Sequence, residues 1–189
     1  TAPWQAEPEK HETTQYSIMG QSGFAVSVTY TLSGWFGGQV MAGHAGFFMN
    51  DEMDDFSSKP GVANMFGLVG SRANAIAPGK TPLSSMSPTI ISKNGAAIMA
   101  VGSPGGSRIP TITLTAILGV IDYGKTIQDA VDLPRIHEQW QPEPVEIEPP
   151  ALSVSTIEDL ETKGQQFNVR QPWGMVEAVL KRGPTLSSR

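Results

Sequence analysis

Cysteine is absent from the 189 residues, and with it go disulfides, thiolate metal sites and a cysteine nucleophile. Histidine is scarce. His11, His44 and His137 stand far apart, none at ligand spacing from a second histidine or a carboxylate, so no metal is expected. No segment approaches the roughly 18 apolar residues that a membrane-spanning helix needs. There is no basic run and the net charge is −5, so no nucleic acid partner is expected. Neither a G-x-S-x-G elbow nor a legible Ser-His-Asp set occurs. A hydrolase built on this chain needs another nucleophile.

Glycine and proline are plentiful, at 20 and 15 residues. They divide the chain into short elements, and a sheet-dominated α+β domain is expected. Residues 1–12 are charged and proline-containing, and read as an exposed linker with Trp4 laid on a surface. Phe24, Val26, Val28, Tyr30 and Leu32 then alternate with small or polar residues, the period of a strand. Gln21-Ser22-Gly23 would turn it back onto a short strand at Tyr16–Met19. Thr13 then lies at the mouth of a hairpin, beside the end that carries Thr29 and Thr31.

A Gly-rich loop at Ser33–Gly38 precedes an expected strand near Gln39–Met49. Asp51, Glu52, Asp54 and Asp55 follow, four acids in five positions, readable as a solvated turn or a cation site. Pro60–Pro82 is a long loop, and such loops are often lids. Thr89–Ser92 and Ala96–Val101 form a hairpin across Asn94-Gly95. A buried helix is expected beyond Pro110, with Ile112, Leu114, Ile117, Leu118 and Ile121 apolar, then a short one over Thr126–Leu133. Pro142–Pro150 reads as extended, and Ser155-Thr156-Ile157-Glu158 as a capping box for a helix ending at Lys163-Gly164. Phe167–Val169 and Met175–Leu180 read as strands.

Taken singly, the chemical motifs are ambiguous. Ser103-Pro104-Gly105-Gly106-Ser107 before a helix is either an oxyanion or anion site or a tight turn that needs glycine. Ser84-Ser85 can close a turn as readily as bind a ligand. His137 reads as a packed, hydrogen-bonded surface histidine.

Five stretches in order carry more weight: Thr13–Ser17 (TTQYS), Val28–Leu32 (VTYTL), Met53–Ser57 (MDDFS), Pro82–Thr89 (PLSSMSPT) and Gly102–Arg108 (GSPGGSR). Together they resemble the small catalytic subunit of γ-glutamyltranspeptidases (glutathione hydrolases), from Thr13 to about Trp140. The resemblance implies an N-terminal nucleophile hydrolase, a four-layer αββα sandwich completed by a large subunit. Residues 1–12 would be the large-subunit tail before a self-cleavage site between Glu12 and Thr13. Residues 13–189 would be the small-subunit region, with its C-terminal end incomplete.

By the same resemblance Thr13 is the nucleophile, its freed α-amino group the base, and Thr31 its orienting partner. Gly105 and Gly106 would supply the oxyanion N–H groups. Ser84 and Ser85 would bind the α-carboxylate of a γ-glutamyl group, Asp55 and Glu52 its α-ammonium, and Ser33 would touch the substrate. Trp35 and Phe66 would line or cover the pocket, although ordinary loop packing suits Trp35 equally. The implied substrates are γ-glutamyl compounds such as glutathione, with water or an amino acid or dipeptide as acceptor, and no cofactor. A bacterial member would be periplasmic or extracellular. Gln15 stands where the family often has His, Ser33 where it often has Asn, and Phe66 where bacterial members often have Tyr. A cephalosporin (glutaryl) acylase shares the fold and nucleophile, but Asp55 would face a glutaryl group without an ammonium to pair. An inactive binding paralogue is the other alternative, opposed by the presence of Thr13, Thr31, Gly105 and Gly106.

Overall fold

The computed structural model describes residues 13–141, 144–182 and 185–188. The expected linker, with Trp4, and Pro142 lie outside them. In chain order the elements begin with β1 (Thr13–Met19), β2 (Ala25–Thr31), β3 (Thr89–Lys93), β4 (Ala96–Gly102), α1 (Ile109–Ile121) and α2 (Ile127–Val131). They continue with β5 (Ile136–His137), β6 (Val145–Ile147), α3 (Val154–Glu161), β7 (Phe167–Val169), β8 (Glu177–Arg182) and β9 (Thr185–Ser188). The class is α+β, as expected.

β1 and β2 pair antiparallel without a break from Met19↔Ala25 to Thr13↔Thr31. The Gly20 amide donates to the Phe24 carbonyl at 2.7 Å, and Gly23 turns the chain at a φ of 92°. β1 starts three residues before the expected Tyr16, because Thr13, Thr14 and Gln15 also find partners on β2. The second hairpin turns on Asn94 and Gly95, whose φ values of 53° and 80° suit a tight hairpin turn. β8 then pairs with β4 and β9 with β8, giving the order β3-β4-β8-β9.

Successive side chains of a strand face opposite sides of its sheet. Met99 and Val101 of β4 enter a core with Ile112, Ala116 and Val120 of α1, Ile127 and Ala130 of α2, and Ala178 and Leu180 of β8. Gly102 faces the other way, onto Gln15 of the β1–β2 hairpin. The chain therefore stacks helices, a four-stranded sheet and a hairpin in three layers. Ser17 Oγ donates to the Glu177 carbonyl and Ser27 Oγ to the Val101 carbonyl, each at 2.9 Å, fastening hairpin to sheet.

α1 carries a proline in its first turn, where the missing N–H leaves no bond unmade. It buries Ile109, Ile112, Ala116 and Val120 at helical spacing, each isoleucine or valine contributing about 1.5–3 kcal/mol. Leu114 and Ile121, expected inside, are exposed on its outer side. α2 is shorter than expected, capped by Thr126 Oγ1 accepting from the Asp129 amide. α3 starts two residues earlier than the expected capping box, because Ser153 Oγ accepts from the Thr156 amide and takes the cap itself. The last major strand begins at Glu177 rather than Met175.

The expected strand over Gln39–Met49 does not form. Only an isolated bridge, Met41↔Phe48, remains, around a 3-10 turn at Gly43–Ala45. Gln39, Gly43 and Gly46 all have left-handed φ, which breaks any extended run. A three-stranded sheet, β5-β6-β7, stands apart from the larger one. Its β6–β7 pair is parallel.

Candidate active site

The end of the β1–β2 hairpin brings two threonines together. Thr13 and Thr31 are cross-strand partners, and Thr13 Oγ1 donates to Thr31 Oγ1 at 3.1 Å. The Ser33 amide donates to the same Thr31 oxygen at 3.0 Å, so that oxygen is fixed from both sides. Ser33 is buried and left-handed at a φ of 72°, a conformation costly for a residue with a side chain. Both threonine side chains are half-buried.

The acids form a 3-10 turn, Glu52–Asp55. Asp51 ties it to the hairpin: its amide donates to the Leu32 carbonyl at 3.0 Å, and its Oδ1 accepts from the Gly34 amide at 2.8 Å. Burial, then a hydrogen bond with Asp55 and the charges of Asp55 and Asp51, pushes the Glu52 carboxyl up to about 7. Burial also raises Asp55, helped by the charge of Asp54 and opposed by its hydrogen bond with Glu52. Glu52 Oε1 is buried without a hydrogen-bond partner. Two facing carboxyls that resist ionisation, one with an idle oxygen, are suited to a cationic guest.

Gly105 and Gly106 open the turn leading into α1, at φ values of 140° and 56°. A Cβ on Gly105 would meet Ile112 Cδ1 at 2.7 Å, and one on Gly106 would press on the Phe66 ring at 3.2 Å. Phe66 thus lies against Gly106, while Gly105 faces Ile112. Ser85 Oγ donates to the Gly106 carbonyl at 3.0 Å, and Ser84 Oγ accepts from the Met86 amide at 3.2 Å. A cavity of about 490 Å³ lies under the loop after the acids, lined by Asp55, Phe66, Ser84, Ser85 and Ser107 among others. Thr13, Thr31, Ser33, Glu52 and Trp35 are not in its lining. Trp35 is exposed and stacks near Phe36, with ring centroids 6.2 Å apart.

The chain has known relatives. The chain matches the gamma-glutamyltranspeptidase family model over residues 1–188. It belongs to the γ-glutamyltranspeptidase family. A glutathione hydrolase proenzyme of Pseudomonas sp. (strain A14) is 55% identical over 181 residues, covering 96% of this chain and 32% of the relative. The Escherichia coli (strain K12) glutathione hydrolase proenzyme is 46% identical, covering 91% and 30%. A crystal structure of a mutant Helicobacter pylori γ-glutamyltranspeptidase superposes with a TM-score of 0.86 at 44% identity, covering 93% of this chain and 97% of that one. The chain thus spans about a third of the length of these two curated relatives.

Within this chain, the hairpin end joins Thr13, Thr31 and Ser33, while a separate contact joins Ser85, Gly106 and Phe66. Two features escaped sequence reading. Gln15 is buried between the strands, its Oε1 accepting from Thr29 Oγ1 at 2.6 Å and its Nε2 donating toward Ser27 Oγ at 3.0 Å. Thr29, expected beside Thr13, is engaged by Gln15 instead. Arg108 reaches Glu146, 38 positions away. His137 is buried rather than on the surface, held by Thr111 Oγ1 at 2.9 Å and Gln139 Oε1 at 2.8 Å. Among the described residues no cluster could hold a metal ion, and no helix is long and apolar enough to cross a membrane.

Proposed function

We propose that this chain is the catalytic part of an enzyme that cleaves and transfers γ-glutamyl groups. The observation that carries the reading is the Thr13 Oγ1–Thr31 Oγ1 bond at a fixed hairpin end. In the continuous sequence the Thr13 nitrogen is a peptide amide bonded to Glu12. Hydrolysis of that bond frees an α-amino group with an ordinary pKa near ~8, basic enough to take the hydroxyl proton without a histidine. The proenzyme names of the relatives, and a solved chain matched over 97% of its length, support such processing into two chains.

Thr13 Oγ then attacks the γ-carbonyl carbon, passing its proton to the α-amino group. Negative charge develops on the carbonyl oxygen and is met by the Gly105 and Gly106 N–H groups. The C–N bond breaks, the amine leaves with a proton, and a γ-glutamyl ester remains on Thr13. Water returns glutamate; an amino acid or dipeptide amine returns a new γ-glutamyl amide. Ser84 and Ser85 take the α-carboxylate, and the Glu52–Asp55 pair takes the α-ammonium, giving the idle Glu52 oxygen a partner. Glutathione fits as donor. A large subunit completes the site and the fourth layer, and a bacterial source would place the enzyme in the periplasm or outside the cell.

The test is Thr13→Ala in the full-length protein. It is expected to remain one chain by intact mass and to release no anilide from a γ-glutamyl anilide. A cut, active Thr13→Ala protein would defeat the mechanism.

A further inference from the structure

The turn that carries Gly105 and Gly106 is made of residues that lose the most conformational freedom when fixed. Its own backbone gives it two bonds, from the Arg108 amide to the Gly105 carbonyl at 3.1 Å and from the Ile109 amide to the Gly106 carbonyl, and Ser85 Oγ holds the latter from outside. The Arg108 side chain is a further anchor. Nε donates to Glu146 Oε2 at 2.6 Å and Nη2 to Oε1 at 3.1 Å, a two-pronged fork. The guanidinium also lies over the Trp173 ring, 5.3 Å from its centroid. Arg170 Nε reaches Glu146 Oε1 at 3.0 Å from the opposite strand, β7's end.

Burial pushes the Glu146 carboxyl up, but the hydrogen bond and charge of Arg108, with those of Arg170, outweigh it and hold it below its ordinary value. The carboxylate is therefore charged at neutral pH. Glu146 belongs to the small β5-β6-β7 sheet, which contributes no residue to the site described above. The fork ties it to the glycine turn, alongside His137, which contacts Thr111, whose hydroxyl donates to the Arg108 carbonyl.

We propose that Arg108, gripped by Glu146, is a positioning residue that aims the Gly105 and Gly106 amides at the developing oxyanion. The proposal rests on the γ-glutamyl-transfer reading above. Oxyanion donors act mainly on the transition state, so a turn that drifts loses turnover rather than donor affinity. Lysine cannot replace the fork, because it offers a point charge without the planar pair of donors.

The experiment uses the full-length, processed protein and a γ-glutamyl anilide, with rates normalised to the Thr13 ester formed in the burst. Arg108→Lys and Glu146→Gln are expected to lower kcat by about 10-fold or more, since a misplacement of ~1 Å costs about 10²-fold. Donor KM should stay within about twofold, and the double variant should be no worse than the poorer single one. Arg170→Met, which leaves the fork in place, should keep kcat near that of the unaltered protein. Unchanged kcat in Arg108→Lys and Glu146→Gln overturns the proposal. So does an equal loss in Arg170→Met, or an effect confined to KM. If the unaltered, processed protein forms no Thr13 ester, the γ-glutamyl reading itself fails and takes this inference with it.

Discussion

A single added methyl group at Gly102 is expected to unseat the Gln15 hub on β1. A Cβ there would lie 2.4 Å from both Cδ and Oε1 of Gln15 and 2.7 Å from its Nε2. Gln15 is buried and cannot swing into solvent. Its amide contacts the Tyr16 carbonyl, Ser17 Oγ, Ser27 Oγ and Thr29 Oγ1. Forcing a methyl into such a site costs about 1–3 kcal/mol, and losing one of these bonds about 1 more. Gly102→Ala should therefore destabilise by about 2–4 kcal/mol. Gln15→Ala removes two N–H donors and an acceptor, so at most three of the four contacts act as full bonds at once. That is about 2–3 kcal/mol at roughly 1 each. The two changes should not add, because Ala at position 15 leaves the new methyl nothing to strike. Urea unfolding of the four proteins gives the cycle. A Gly102→Ala protein within about 0.5 kcal/mol of the unaltered one, or strict additivity with Gln15→Ala, would refute the reasoning.

Two further outcomes concern the acid turn. Its carboxyls hold protons more tightly when folded than when unfolded, so ionising them costs the folded state as pH rises. Their contribution to stability should fall between the ordinary Glu value of 4.5 and the raised value of about 7 for Glu52. A donor's ammonium needs the ionised pair, so donor KM should rise as pH falls below about 7, and Glu52→Gln should flatten that rise in a KM–pH profile. Asp55→Asn should raise KM for γ-glutamyl anilides much more than for glutaryl ones, which lack the ammonium. Equal effects on both substrates would remove Asp55 from ammonium binding.

Where the sequence was legible, the signals were local. The alternation from Phe24 to Leu32, the Asn94-Gly95 turn and Pro110 each act within a few residues, and the hairpins and α1 stand where they point. The Gln39–Met49 segment misled because its apolar residues suit a strand, while Gly43 and Gly46 turn the chain at left-handed φ and Gly37, just before it, serves a close approach. A Cβ on Gly37 would strike the Met49 carbonyl oxygen at 2.2 Å, so backbone meets backbone there. The cap at Ser153 was missed because a serine two residues later offered a better-known pattern. Gln15 and Arg108 were illegible for different reasons. Ser27 and Thr29 meet Gln15 across the hairpin, in a part of β1 that the expected Tyr16 start left out, while Glu146 meets Arg108 from another sheet, which no spacing along the chain announces.

The β1–β2 hairpin also bears on the order in which the site comes together. Thr13 and Thr31 are joined through one short turn, with a ladder of paired residues between. Hairpins of this kind close in about 1–10 μs, whereas contacts between distant segments wait on larger losses of chain entropy. The Gly105–Gly106 turn must arrive from more than 70 positions further along, carried by β4, whose Val101 carbonyl receives Ser27. Loop-closure entropy therefore favours an assembly in which the threonine pair forms as a local unit and the Gly105–Gly106 turn docks onto it. On the proposed mechanism, Thr13 then has its partner hydroxyl in place early, and the groups assigned to stabilise charge arrive late.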